Sequence, residues 1–498
     1  MSAPATVAVE LPRFDRHFWD GTFRFTRIGE GALGGKAAGL VLIKDLLLEK
    51  IDPAAFPEFD LTVPTMAVLA TGCYDRFMER NRLWSLPVET LTDEHIAHAF
   101  LEADLPTEEL GDLRALIEQV KTPLAVRSSS LLEDALERPF AGVYATKMLP
   151  NNDLDPDHRF QHLVEAIKLV YASTFFREAR DYIVTTGRRP REEKMAAILQ
   201  EVVGRRHRDR FYPDVSGVAR SINFYPNWPA KPEDGVATLA IGLGKTIVDG
   251  GIAWSFSPRF PRRPPPFTSP DEMLANTQTM FWAINMGEPL SYDPVNEDEH
   301  LVLPALEDAA ADEVLHPVCS TFDADSNIML SGLHSAGFPI VNFAPVLEEG
   351  SVALAAFIRE LLRAGEEATG AKVEIEFALT WSERRGQPLR ARVGFLQVRP
   401  LTMVGEKVDL TPEDLADPRA VIASDRVIGN GVFSDIFDIV YVIPEHFSSS
   451  CTSAVAQQVG VINRELVREG RPYLLIGFGR WGSSQVTLGI PVAWSQIS

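Results

Sequence analysis

"LAVRSSSLLEDALERPFAG", residues 124–142, decides how this chain is read. An apolar start runs into Arg127, three serines, the acidic pair Glu133 and Asp134, and a closing Ala-Gly. A core strand has no use for four adjacent polar groups, and an ordinary surface loop needs no apolar run. A strand that ends in arginine presents a guanidinium fork shaped for phosphate oxygens. Ser128, Ser129 and Ser130 add hydroxyl donors at the same edge, where ligands of α/β proteins collect. The acids have a structural reading: Ser130 as helix N-cap and Glu133 three residues on make a capping box.

Working outward, "GEGALGG" (29–35) is a glycine-rich entry to "KAAGLVLIKDLLLEK" (36–50), whose apolar spacing predicts an amphipathic helix. "LTVPTMAVLA" (61–70) predicts a strand, "TGCYDRFMERN" (71–81) a helix, and residues 160–185 one long helix. "MAAILQEVVG" (195–204), "VSGVARSINF" (215–224) and "GVATLAIGLG" (235–244) predict buried strands. The proline-rich stretch 257–267 must be a loop. "KVEIEFALTW" (372–381) and "ARVGFLQVRPL" (391–401) flank the turn-like "SERRGQP" and predict a β-hairpin. From residue 406 to 498 a smaller α/β piece follows, with "FDIVYVIPE" as strand and "TSAVAQQVGVINRELVREG" as a helix stopped by glycine. The mixed order of elements indicates an α/β or α+β architecture.

The charge of −21 over 498 residues excludes broad binding to nucleic acid or anionic membranes, which need a basic footprint. The basic run "GRRHRDR" (204–210) predicts a solvated loop. Cys73, Cys319 and Cys451 are few and far apart, which suits buried free thiols in a reducing cytoplasm. The N-terminus has no signal-peptide pattern, and no apolar run approaches the roughly 20 residues that span a bilayer. A cytoplasmic protein is expected. His158 and His162 lie one helical turn apart with no third ligand nearby, so a solvated face is expected there. No residue pattern sets an oligomeric state.

Two glycine-lysine sites invite a phosphate-loop reading, and both fail it. "GLGKT" (242–246) has Leu239 where the motif's first glycine belongs and runs on into "IVDGG", a turn where a P-loop launches a helix. "GEGALGGKAAG" has Glu30 at that first position and Ala37 in place of Ser or Thr. Gly34 and Gly35 still permit a close backbone approach to an anion, and Lys36 at a helix start adds charge to the positive dipole end. A flexible turn with a solvated lysine is the equal alternative. In the hairpin, residues two apart share a face, so Glu374 points with Glu376 and Gln397 with Arg399. If the strands pair in register, carboxylate and amide oxygens meet beside a guanidinium, a donor set for Mg²⁺ on nucleotide phosphates. A cross-strand ion pair on an exposed face is the alternative.

Taken in order, "GGKAAGL", "VPTMAVLATGCYDRFM", "LAVRSSSLLEDALERPFAG", "ILQEVV", "SGVARSINF", "GLGKTIVDGG" and "FLQVRPL" resemble the N-terminal nucleotide-binding domain of phosphoenolpyruvate synthase and pyruvate phosphate dikinase. The resemblance spans residues 20–405. It implies a two-lobed ATP-grasp fold that holds ATP and Mg²⁺ between its lobes, followed by the small C-terminal α/β segment. It also implies phosphoryl transfer to a histidine on a mobile swivelling domain. By motif, Gly35 and Lys36 would reach ATP phosphates, Arg127 and Ser128 would clamp them, and Thr146 would sit nearby. Gln200, Glu201 and Val203 would lie on the interlobe strand that reads adenine, Glu376 and Gln397 would hold Mg²⁺, and Arg399 would stand beside them as a catalytic partner.

Departures accompany the likeness. The family usually has glutamate at Lys245, so a charge is reversed beside the expected nucleotide, and Val143, Tyr144 and Ala145 replace polar residues. No glycine-rich phosphohistidine segment is found: "SGLHSAG" (331–337) is a superficial echo, and 406–498 has only His446 in an unrelated setting. That last segment, with "YLLIGFGRWGSS" and "LGIPVAWSQIS", looks like a piece of other phosphoenolpyruvate/pyruvate-binding-domain proteins. The chain is therefore expected to be part of a longer protein, or a half whose histidine domain is a separate chain. Two other readings stay open: a non-catalytic nucleotide-sensing or assembly module, and an ATP-grasp carboxylate ligase.

Overall fold

A computed structural model describes residues 11–15, 25–130, 143–185, 192–263 (without 225), 273–288 (without 275), 291–334, 337–348, 352–382, 389–401, 408, 410–424, 432–482, 489–493 and 496–497. Glu133, Asp134 and the helix that Ser130 was expected to cap lie outside the described residues, as does most of the hairpin turn after Ser382.

The first part of the chain runs β1 (Phe25–Ile28), α1 (Gly35–Lys50), β2 (Phe59–Thr62), β3 (Met66–Leu69), α2 (Thr71–Arg80), α3 (Asp93–Glu102) and α4 (Thr107–Gln119). It continues through β4 (Leu124–Ser130), β5 (Thr146–Leu149), α5 (Pro156–Ser173), α6 (Arg177–Thr185) and β6 (Met195–Glu201). Five of these strands form one sheet in the order β1-β3-β6-β4-β5. Both of its faces are covered, which is why β3 and β6 are apolar almost throughout. Ala67, Leu69, Leu124, Val126, Ala197 and Leu199 pack against α2–α5. Met66, Val68, Ala196 and Ile198 pack on the other side, in a cluster that includes Ala37 and Leu40 of α1. Since Leu124 and Val126 face α2–α5, strand alternation turns Arg127 the other way.

That other side belongs to a second sheet. Beyond β7 (Arg205–His207) and β8 (Arg210–Tyr212), β9 (Val215–Arg220), β10 (Val236–Ala240), α7 (Lys245–Val248) and β11 (Trp254–Phe256) follow. Next come β12 (Ala283–Asn285), β13 (Leu301–Val302), α8 (Leu306–Ala311), the small sheet of β14 (Cys319–Asp323), β15 (Ile328–Ser331) and β16 (Phe338–Val341), and then α9 (Ala344–Leu347). Helix α10 (Leu354–Thr369) leads into the long strands β17 (Lys372–Ser382) and β18 (Arg390–Leu401). The second sheet has the order β11-β10-β9-β17-β18-β2. Phe357, Ile358 and Leu361 of α10 and Ile375, Phe377 and Phe395 of the hairpin share one core with α1. The architecture is α/β with mixed sheets, and α1 is packed in the same core as both sheets.

Five expectations are corrected. The strand expected to end in Arg127 runs on to Ser130, which pairs with Met195 of β6, so Arg127 stands mid-strand and the three serines are buried. "LTVPTMAVLA" is two strands: Val63-Pro64 breaks it, β2 joins β18 and β3 joins β6, so it links the two sheets. The helix expected over 160–185 ends at Ser173, whose hydroxyl donates to Val170 O and accepts from Ala145 N, and a second helix starts at Arg177. The break lets Phe175 pack against Trp84 and Phe100. Residues 205–212 are a hairpin and not a solvated loop, because Arg205 pairs with Asp214 and Arg210 with Asp308 and Asp312. After "GLG", a four-residue helix precedes the turn at Gly250.

Toward the C-terminus, β19 (Asp438–Tyr441) and β20 (Tyr473–Ile476) pair in parallel, joined by helix Thr452–Arg468. Gly470, at φ 65°, follows that helix where the glycine stop was expected. No described helix is long and apolar enough to cross a membrane. Cys73 and Cys319 are buried free thiols, whereas Cys451 is partly exposed.

Candidate functional site between the two sheets

Arg127 is where the sheets meet. Its Nη1 donates to Gln200 Oε1 at 3.2 Å and to Leu396 O at 3.1 Å. Its Nη2 donates to Glu376 Oε2 at 3.1 Å and Gln397 Oε1 at 2.6 Å. Gln200 lies on β6 of its own sheet, and the other three acceptors lie on the hairpin of the second. The hairpin is in the register that brings the expected groups together, with Glu376 opposite Gln397 and Glu374 opposite Arg399. A β-bulge follows: Phe377 pairs with Phe395, leaving Leu396 over, and its carbonyl is the one that meets Arg127.

The guanidinium beside Glu376 and Gln397 is therefore Arg127, and Arg399 does not fill that place. Arg399 is two register positions away, where it and Arg220 of β9 both bind the buried Glu374. Burial alone would raise the pKa of Glu374, but Arg399 and Arg220 hold it below the usual carboxylate range. This gives a cluster of three guanidiniums, Arg127, Arg220 and Arg399, around two carboxylates, Glu374 and Glu376, in a chain of net charge −21. In that cluster the cations outnumber the carboxylates although the protein is acidic, which suits a polyanionic ligand.

Lys36 is the second residue of α1, and its Nζ donates to Ser128 Oγ at 3.1 Å. Ser129 spends its hydroxyl on Leu33 O and accepts Ala37 N–H, so it ties the start of α1 to β4. Gly34 has φ +74°, and a Cβ there would lie 1.8 Å from Ser129 O. Its close approach is thus to protein backbone, not to an anion as the glycine pair suggested. Gly34→Ala is expected to lower stability by about 2 kcal/mol or more, from left-handed backbone strain plus overlap with backbone that cannot yield. Urea unfolding measures this, and a change under about 0.5 kcal/mol would refute it.

Thr146 pairs with Arg127 in register, and its backbone N–H donates to Glu297 Oε1 at 2.9 Å. Val143, Tyr144 and Ala145, where polar residues were expected, are buried. Glu201 N–H and Val202 N–H donate to Thr65 O and Pro123 O, and the Glu201 side chain accepts from Thr122. Val203 packs on Gly394 of the second sheet, where a Cβ would come within 2.3 Å of it. Lys245 sits between Asp249 and Asp298, at 3.0 and 3.2 Å, and over the Trp282 ring. Its reversed charge is neutralised within the protein.

Sequence reasoning missed Lys147, Arg220 and the segment 293–300. Lys147 is 1% exposed, yet its Nζ meets Glu299 at 2.7 Å, Pro294 O at 3.0 Å and Asn296 O at 2.8 Å. It anchors the segment that carries Glu297 to Thr146 and Asp298 to Lys245. His300 ends that segment, buried, with its ring 5.4 Å from that of His162. Burial, opposed by Glu299, pushes its pKa down to about 4. Above the ordinary value of about 6.5 it is neutral in both folded and unfolded chains. As pH falls from there toward 4, the unfolded chain takes up a proton that the folded chain refuses. Stability should then fall by up to about 1.4 kcal/mol per pH unit. Urea midpoints across this window should show the slope, and His300→Gln should flatten it.

Mg²⁺ and ATP can be tested against these groups. Glu376 and Gln397 offer a carboxylate and an amide oxygen side by side, and Mg²⁺ commonly takes one or two protein oxygens with phosphates completing its shell. Gln200 Nε2 and Arg399 Nε are buried donors without a protein partner among the described residues. Orphaned donors at the cleft wall fit an acceptor-rich ligand. Among the described residues no group of three or more His, Cys, Asp or Glu could hold a metal, so a cation here needs the nucleotide's own oxygens.

No curated protein matches the chain closely enough to be named beside it. A protein-family match does cover residues 30–418, to the family described as the pyruvate phosphate dikinase AMP/ATP-binding domain. That range holds Lys36, Arg127, Gln200 and the whole hairpin, over more than three quarters of the chain, and so this protein belongs to the pyruvate phosphate dikinase AMP/ATP-binding domain family.

Proposed function

We propose that the chain binds Mg-ATP between its two sheets, in an ATP-grasp arrangement, and transfers a phosphoryl group to a histidine on a swivelling domain carried elsewhere. The observation that carries this reading is the convergence of Gln200, Glu376, Gln397 and the Leu396 carbonyl on Arg127. Lys36, Arg127 and Arg399 would face the phosphates, with Gly35, Ser128 and Thr146 lining the same wall. Gln200, Glu201 and Val203 would border the base. Since the amides of Glu201 and Val202 are engaged in the sheet, the base would be read by groups beyond them. Lys245 would act through the Asp298 segment.

Glu376 and Gln397 would hold Mg²⁺, which would supply positive charge to offset that of the phosphates. The residues then orient the polyphosphate and stabilise charge on its equatorial oxygens as the P–O bond to the nucleotide breaks and an N–P bond to histidine forms. We place the reaction in the cytoplasm, and residues 20–405 and 406–498 as two functional parts.

A Mg²⁺-dependent thermal-shift assay with ATP tests the binding half. A stabilisation that disappears in Lys36→Ala and Arg127→Ala supports it, and no stabilisation removes it. Phosphoryl transfer to an added histidine domain tests the second half. Binding without transfer would favour the sensing module instead.

A further inference from the structure

Arg127 places an internal cation against the oxygens of the hairpin. Arg127 takes up Glu376 Oε2 and Gln397 Oε1, the two oxygens assigned above to the metal, and Leu396 O beside them. It also reaches Gln200 on the opposite sheet, so one side chain spans both walls. At 13% exposure the guanidinium is largely removed from water, and Glu376 at 26% is only partly wet. A counterpart exists on the anion side. The Thr146 N–H, in register with Arg127, is occupied by the Glu297 carboxylate.

Each single ligand meets a penalty. A divalent cation alone would displace Arg127 from its carboxylate and leave a largely buried guanidinium without a counter-charge. A nucleotide alone would draw Arg127 onto its phosphates and leave Glu376 uncompensated beside a polyanion. A metal-nucleotide complex supplies both charges together: its phosphates take Arg127 as its cation takes the vacated oxygens.

We infer that Arg127 is an internal stand-in for the divalent cation, so that the Glu376–Gln397 oxygen pair accepts metal only in exchange for moving Arg127 onto a phosphate. This rests on the reading of that pair as the metal site. It makes metal and nucleotide binding mutually dependent through a residue of this chain, beyond their affinity for each other in solution. By linkage, the dependence must be equal in both directions.

The test uses Mn²⁺ with the full chain and no nucleotide, with bound metal read by electron paramagnetic resonance. The wild-type protein should bind Mn²⁺ weakly. Arg127→Met, which removes the guanidinium and keeps most of the stem, should gain about tenfold in affinity, within the 5–150-fold range of such couplings. Arg127→Met with Glu376→Gln should lose that gain. Arg127→Lys keeps a charge without the fork and should gain several-fold less than methionine. It also serves where circular dichroism shows the methionine variant misfolded. Equal Mn²⁺ affinity in wild type and the folded Arg127 variant would overturn the inference.

Calorimetric titration with Mg-ATP separates the two levels. Mg-ATP binding that is weakened by Glu376→Gln, together with unchanged Mn²⁺ affinities, removes the stand-in and leaves the proposed function intact. Absence of Mg-ATP binding by the wild-type chain removes both.

Discussion

On the proposed function, Arg127→Ala should lower nucleotide-dependent phosphoryl transfer by about 10²–10³-fold, the usual cost of removing one preorganised donor from developing charge. The expectation follows from geometry. One guanidinium reaches four acceptors on two sheets, so no neighbouring side chain can take its place. Arg127→Lys should recover little of the loss, because an ammonium cannot reproduce the planar fork. Rates at saturating and limiting ATP would show whether the loss falls on turnover or on affinity. A loss below tenfold in both would mean that Arg127 is a structural bridge between sheets and no part of the reaction.

Lys147→Met should destabilise the fold by about 3–5 kcal/mol, the cost of leaving a buried carboxylate without its partner. Glu299 is 3% exposed against Lys147 at 1%, so water cannot compensate either charge. The carbonyls of Pro294 and Asn296 lose their donor as well. Pairing the change with Glu299→Gln should return part of the stability, since the stranded charge is gone. Urea unfolding of the two single variants and the double variant measures this. Additive effects would show that the pair is uncoupled. The consequence should reach the cleft, because residues 293–300 carry Glu297 to Thr146 and Asp298 to Lys245.

Much of the second sheet was readable from local pattern. Alternation over 372–381 and 391–401 predicted the hairpin, and the two-residue period placed Glu374 with Glu376 and Gln397 with Arg399. The register then joined these pairs across the strands. The bulge at Leu396 was not readable, since no residue type there demands it, and it is what turns a carbonyl toward Arg127. Lys147 was unreadable for a different reason. A lysine in a short strand ordinarily faces water, and only the distant segment 293–300 folding over it makes it a buried anchor.

The opening stretch divides the same way. Its sequence alone determined that the apolar start at 124–126 would be strand and that a guanidinium would follow it, because side-chain chemistry is a local property. It also pointed to phosphate. That the strand runs on through the serines to Ser130, with Arg127 at its centre, came only from pairing with β6. The sequence could not say what Arg127 touches, because its partners are 73 to 270 residues away along the chain. Only packing of the two sheets around a shared core brings Glu376 and Gln397 to that guanidinium and sends Arg399 to Glu374 instead. Tertiary structure decided which cation meets which carboxylate, since pairings at such separations depend on sheet order and strand register, which no short pattern encodes.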